Sequence, residues 1–369
     1  MPYCRICPRG CTTCRAPCRR SATPSAAGSS ATPRWSAGAW RSPGDESSGE
    51  EQRDRRRRRA GRVSARACEW RAARYARRDR EESGSLVSWR IAVRHRTGYH
   101  YTAAVRASYN EARMTPASGR GQHTLEARLE VTPGTRPLRY VDYWGTVVDA
   151  FDVHVPHTEL VVTASSVVET AAPLAAPKPI GWDVLTSVEV VDRYAELLGA
   201  SRYVCFEDEV AESGRAFAEE LPPAEAGLQA VCWSHEQLGY ERGSTGVHTT
   251  SAEARAGGKG VCQDYTHLSL AILRMMGLPA RYVSGYLYPT AGDAQSTVGL
   301  STSGESHAWV EFWAGEWVPA DPTSLAAVGE RHVVVARGRD YADVRPLSGV
   351  YHGPPAESLG VEVELTRLR

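Results

Sequence analysis

Between residues 88 and 170 apolar and polar positions alternate with a period of two. Trp89, Ile91 and Val93 alternate with Arg90, Ala92 and Arg94, and Leu125, Ala127, Leu129 and Val131 alternate with Glu126, Arg128 and Glu130. Successive side chains of a strand point to opposite faces, so the pattern predicts strands with one buried face. Residues 140–144, a turn at Gly145, and residues 147–155 and 160–168 continue it at short spacing. The region 87–170 therefore reads as a small antiparallel β-sandwich domain. Residues 171–180 carry Pro173, Pro177 and Pro179, break regular structure and read as a linker.

From residue 181 the period lengthens. Residues 188–198, 207–221 and 224–238 repeat apolar positions at spacings of three and four, with Gly199 and the pair Pro222-Pro223 as stops. In the segment 260–279, Leu268, Ile272, Leu273 and Met276 share one face, and Gly277 and Pro279 terminate it. This predicts a buried helix of about four turns that begins near Cys262. Strands are expected at 280–287, 306–313 and 316–320, with 292–304 as a polar loop. The fold class is α+β, with residues 181–369 as the second domain.

Composition separates the first 86 residues from the rest. They hold 20 Arg against 9 acidic residues, lack sustained apolar periodicity, and read as a disordered segment. Cys4, Cys7, Cys11 and Cys14 give a C-x2-C-x3-C-x2-C run, but three residues between the knuckles leave little room for a tetrahedral metal, so it is not taken as a zinc site. Val87 directly precedes the first convincing strand, so the segment also fits upstream sequence joined by a wrong start assignment. Peptides recovered from 1–86 of the native protein would end that idea. The remainder carries 24 basic and 34 acidic residues, a net of −10. An acidic body argues against nucleic acid as a partner. No apolar run reaches the ~20 residues of a membrane span, and no signal peptide is visible, so a cytoplasmic protein with no membrane role is expected. Cys205, Cys232 and Cys262 show no disulfide framework and read as free thiols, the first two as plain buried residues.

Cys262 at a helix start is placed for chemistry. The positive end of the helix dipole favours a thiolate, and the first amide N–H groups, unpaired within the helix, can donate to an oxyanion. Segment 306–323 supplies a base and its orienting group. With residues 313–315 as a three-residue hairpin loop, His307 lies opposite Asp321; a register shifted by two makes them diagonal neighbours on the same face. Either way a carboxylate can hold one imidazole nitrogen while the other faces the thiol. Asp264 and His267 follow Cys262 on the same helix and are read as a dipole partner and a core or surface histidine. Trp309, Trp313 and Trp317 wall the cleft or fill the core.

Four motifs in order, Gly260-Val-Cys-Gln-Asp-Tyr265, Gly277-Leu-Pro-Ala-Arg-Tyr-Val-Ser-Gly-Tyr286, Ser306-His-Ala-Trp-Val-Glu311 and Asp321-Pro-Thr323, resemble the transglutaminase-like superfamily in its bacterial form. The stretches 109–116 and 338–347 are also similar, so the resemblance covers about 88–355. It implies a papain-like transglutaminase core after a β-rich N-terminal region, with Cys262 as nucleophile, His307 as general base and then acid, and Asp321 as orienting group. Trp233 or Tyr240 could add an oxyanion donor, as an aromatic upstream of the cysteine does in some relatives, although packing fits both. Ser324 stands where the resemblance leads one to expect Asn, at a position read as touching no triad member. The implied activity is thiol-dependent acyl transfer on a protein or peptide amide, hydrolysis favoured over cross-linking, with no cofactor and no metal. The rival reading is a binding or scaffold module that kept the fold and lost turnover; the intact Cys262, His307 and Asp321 argue against it.

Overall fold

The alternating region forms β2 (Trp89–Val105), β3 (Ala107–Ala112), β4 (Gln122–Thr132), β5 (Leu138–Val141), β6 (Val147–Val153) and β7 (His157–Thr170). These belong to a computed structural model that describes residues 4–5, 88–172, 178–289 and 298–369. Apart from Cys4–Arg5 (β1), the readings made for residues 1–86 lie outside the described residues, as does much of the expected linker.

Two sheets enclose the β-rich part. One runs β1-β14-β3-β6-β5, where β14 is Leu347–His352. The other runs β13-β10-β11-β15-β2-β7-β4, with β10 at Ala280–Leu287, β11 at Ser301–Trp313, β13 at His332–Gly338 and β15 at Ala356–Arg367; β12 (Trp317–Ala320) adds to β11. All pairings in these two sheets are antiparallel. Tyr101, Val105, Leu160 and Val162 of one sheet meet Ala112, Phe151, Val153 and Tyr351 of the other in one buried cluster, the interleaved core of a sandwich.

Hydrogen bonding crosses the division drawn at 171–180. β14 pairs with β3, and β15 lies between β2 and β11, so the last two strands of the chain join sheets begun by the first ones. One continuous sheet thus carries the strands of the second half on one side and those of the first half on the other. Part of the polar loop expected over 292–304 is likewise strand, since Ser301–Gly304 pairs with Val363–Thr366.

The longer period gives α1 (Trp182–Leu185), α2 (Val188–Arg193), α3 (Asp208–Glu220), α4 (Pro223–Gln237), α5 (Ser251–Gly257) and α6 (Cys262–Met275). The helix expected over 188–198 ends at Arg193 and continues as a 3-10 turn, Ala195–Leu197. In α6 every residue from Gln263 to Arg274 is buried, and polar side chains among them are satisfied locally, the Thr266 and Ser269 hydroxyls by the carbonyls of Cys262 and Tyr265 and Arg274 by Ala280 O. Leu268, Leu270, Ile272 and Leu273 are fully enclosed, each worth roughly 1.5–3 kcal/mol relative to exposure. At Gly227 of α4 a Cβ would sit 2.4 Å from the Phe312 ring, so only glycine lets this helix approach β11. Gly277 ends α6 with φ +85, a conformation that glycine adopts without steric cost. α6 is thereby fixed against the sheet with Cys262 at its first turn.

Candidate active site

The short parallel pair β8 (Gly239–Tyr240) and β9 (Lys259–Gly260) leads the chain into α6. Asp264 folds back over this entry, where its Oδ2 accepts from the Val261 amide at 2.8 Å and the Thr245 hydroxyl at 2.5 Å. A Cβ at Gly260 would lie 2.7 Å from the Asp264 Cβ, which explains the glycine two residues before the cysteine. Asp264 is therefore a helix cap, and burial raises its carboxyl above the ordinary range.

β11 and β12 pair with Val310 opposite Ala320 and Trp313 opposite Trp317. This is the register shifted by two, so Asp321, just beyond β12, lies diagonal to His307. His307 Nε2 and Asp321 Oδ2 are 2.9 Å apart. Cys262 lies close enough to the imidazole to help raise its pKa. The structure thus brings together the three residues proposed from the sequence. Burial alone would lower the His307 pKa, but Asp321 and Cys262 hold the imidazolium up to about 10. Burial would raise Asp321, and His307 and His332 instead hold it well below the usual carboxylate range.

Asp321 is held by its own loop. Its Oδ1 accepts from the amides of Thr323 and Ser324, at 2.9 and 3.3 Å, and its Oδ2 accepts from the Ser324 hydroxyl at 2.5 Å. The expectation that Ser324 touches no triad member is therefore corrected: its short hydroxyl side chain reaches the carboxylate directly. On the other side His332, unremarked in the sequence, places Nε2 3.6 Å from Asp321 Oδ2. Trp309 is fully buried beneath, edge-on to His332 with ring centroids 5.2 Å apart. Trp313 and Trp317 both contact Tyr194.

The donor atoms of His307, Asp321 and His332 all lie within 4.8 Å of one another, a set that could attract a transition metal. The tautomer argues otherwise. The Gly329 amide donates to His332 Nδ1 at 3.3 Å, which assigns the ring hydrogen to Nε2 and leaves no lone pair there for a metal.

His267 is a core residue. Its ring stacks on Tyr203, its Nε2 accepts from the Tyr341 amide at 3.3 Å, and burial pulls its pKa to about 3 despite Asp340. Trp233 packs on the large core, while Tyr240 is exposed and lies near the Tyr265 ring. Cys205 and Cys262 are half-buried. Cys232 is also half-buried, but it is disulfide-bonded, which corrects the expectation of a buried free thiol. No helix among the described residues is long and apolar enough to cross a membrane.

A helix that presents a cysteine to a strand histidine, itself oriented by an aspartate, on an antiparallel sheet defines a papain-like α+β protein. The chain belongs to the transglutaminase-like superfamily. Residues 91–169 match the bacterial transglutaminase-like N-terminal region, and residues 214–322, which include Cys262, His307 and Asp321, match the transglutaminase-like superfamily. A Mycobacterium leprae protein is 46% identical over 280 residues, 76% of this chain and 99% of its own length. A Pseudomonas aeruginosa protein-glutamine gamma-glutamyltransferase is 34% identical over 160 residues, 38% of this chain and 23% of its own length. The crystal structure of a Cytophaga hutchinsonii protein, described provisionally as a cysteine protease, shares the fold with a TM-score of 0.60 at 23% identity, covering 77% of this chain and 92% of that one.

Proposed function

We propose that this protein catalyses thiol-dependent acyl transfer on peptide or glutamine-type amides, with Cys262 as nucleophile, His307 as proton carrier and Asp321 as orienting group. The observation that carries this reading is the His307 imidazole held 2.9 Å from Asp321 and close enough to Cys262 for the thiol to shift its pKa. Asp321 and Cys262 hold the His307 pKa up to about 10 against burial, which suits the imidazole to carry the thiol proton. The thiolate sulfur attacks the amide carbonyl carbon, and the first amides of α6 face the developing oxyanion. His307 gives its proton to the leaving nitrogen, the C–N bond breaks, and a thioester remains. The now neutral His307 then takes a proton from an attacking water or amine, and the thiolate leaves.

Hydrolysis is the favoured outcome, and the substrate is a protein or peptide. Transfer to an amine is the second reading, favoured by the name of the Pseudomonas relative. Mass spectrometry of a peptide mixture incubated with wild type and with Cys262→Ala separates them: hydrolysis yields acids and free amines, cross-linking yields isopeptides. A scaffold role predicts neither product. It also predicts that Cys262 reacts with iodoacetamide at neutral pH no faster than a model thiol.

A further inference from the structure

The ligands of Asp321 are unevenly distributed. Three of its bonds come from within its own loop, from Thr323 N and from the amide and hydroxyl of Ser324. A loop that holds its own carboxylate can still rock as a unit, carrying the carboxylate away from His307. Two groups from outside that loop face it: His307 on β11, and His332 at the start of β13.

His332 is 4% exposed, and its Nε2 has no hydrogen-bond partner. A buried donor left unmade is costly, so an unmade one at a site calls for an explanation. The Gly329 amide fixes the ring from behind through Nδ1, and the His332 amide in turn donates to Gly329 O at 2.8 Å. Trp309 closes one edge of the ring. Thus held, Nε2–H faces Asp321 Oδ2 from 3.6 Å, just beyond hydrogen-bond length, on the same oxygen that meets His307.

We infer that His332 is a positioning residue, a second imidazole on β13 whose Nε2–H backs the Asp321 carboxylate and keeps it directed at His307. This rests on the acyl-transfer reading for its purpose, although the geometry it claims is independent of any substrate. The titratable and charged groups facing His332 are Asp321, His307 and Arg331, and those facing His307 are Asp321 and Cys262. Burial lowers the His332 pKa, which favours the neutral ring.

Imidazole 15N NMR on histidine-labelled full-length protein tests the inference, with His307→Gln and His332→Gln used for assignment. In wild type, His332 should show a protonated Nε2 and an unprotonated Nδ1; the opposite tautomer overturns the proposal without recourse to any variant. His332→Leu should lower the titration midpoint of His307 by roughly half a unit to one unit, the scale of one hydrogen bond. The shift should have the same direction as in Asp321→Asn and be smaller. His332→Gln keeps an amide donor at similar reach and should restore most of the wild-type midpoint. A midpoint that is unchanged or raised in folded His332→Leu sinks the idea. Iodoacetamide reactivity of Cys262 is measured in parallel: a sluggish thiol with the predicted midpoints refutes the acyl-transfer reading alone, whereas a reactive thiol with unmoved midpoints refutes the role of His332 alone.

Discussion

Two buried charge clusters share strand β11, four residues apart and on the same face, and they are built on opposite plans. At Glu311, Arg281 stands directly across the ladder on β10, and Arg337 arrives from β13. Arg281 Nε donates to Glu311 Oε2 at 2.7 Å, and Arg337 takes both oxygens, Oε2 at 2.9 Å and Oε1 at 3.0 Å. At His307 the residue across the ladder is Gly285. No side chain fits there, because a Cβ would sit 2.0 Å from the Val333 carbonyl oxygen. The partners of His307 come instead from a loop and a helix terminus. Glu311 spends its charge fully on strand neighbours, which suits a fixed strut. His307 is bonded to groups that the rest of the fold holds in place, with a thiol open to reaction. The difference separates a charge that stabilises from one kept for use.

The largest effects should come from the reactive cluster. Thiol and base act as one unit, so removing either forfeits the chemical step. Cys262→Ala and His307→Ala should each abolish turnover, and the double variant should lose little more, while circular dichroism stays native. Folded Cys262→Ala with near wild-type turnover on a verified substrate would falsify the mechanism. Asp321→Asn still bonds the ring but cannot balance an imidazolium, so kcat should fall by roughly 10- to 10⁴-fold.

The strut should fail differently. Glu311→Ala leaves two half-buried guanidiniums without their counter-charge; breaking a fully buried ion pair from one side costs about 3–5 kcal/mol, which is the upper limit here. The thermal midpoint should drop sharply, whereas in whatever fraction stays folded the iodoacetamide reactivity of Cys262 should match wild type. If Glu311→Ala is as stable as wild type, the contrast between the two clusters is wrong.

The sequence reveals these clusters unequally, for reasons of range. Cys262 was visible because its helix is local: Gly260, the apolar face and Gly277 lie within eighteen residues. His307 and Asp321 were visible because a hairpin ties them, and the register options were two, of which the shifted one is found. His332 was not legible, because β13 meets β10 rather than β12 and nothing in the chain marks that pairing. The same holds for Arg281 and Arg337, ordinary arginines until sheet order puts them on one carboxylate. The placement of β15 between β2 and β11 joins residues more than 250 positions apart, and alternation announces a strand without naming its neighbour. Ser324 was misjudged from family expectation alone, although an Asp followed three residues later by Ser is a plausible local side-chain contact.

The smallest effect concerns pH, where the clusters should diverge in sign. His307 has a folded-state pKa raised to about 10 from an ordinary value near 6.5. Its folded state binds the proton more tightly than the unfolded chain, so its contribution to stability is complete below about pH 6.5 and is lost as pH rises through about 10. Glu311 is the reverse case. Burial alone would raise it, but Arg337 and Arg281 hold it down to about 2 from 4.5, so its contribution is present above about 4.5 and is lost as pH falls toward 2. Denaturant midpoints measured from pH 3 to pH 10 should therefore fall at both ends in wild type. His307→Gln should flatten the alkaline side, because an amide has no proton to lose between about 6.5 and 10, and should also change the acid side, because Asp321 loses the imidazolium that holds it low. A destabilised but still foldable Glu311→Gln should decrease the acid-side slope while the alkaline slope stays. Flattening of the alkaline side by Glu311→Gln would mean that the two clusters are coupled through β11, and that the strut takes part in holding the imidazolium.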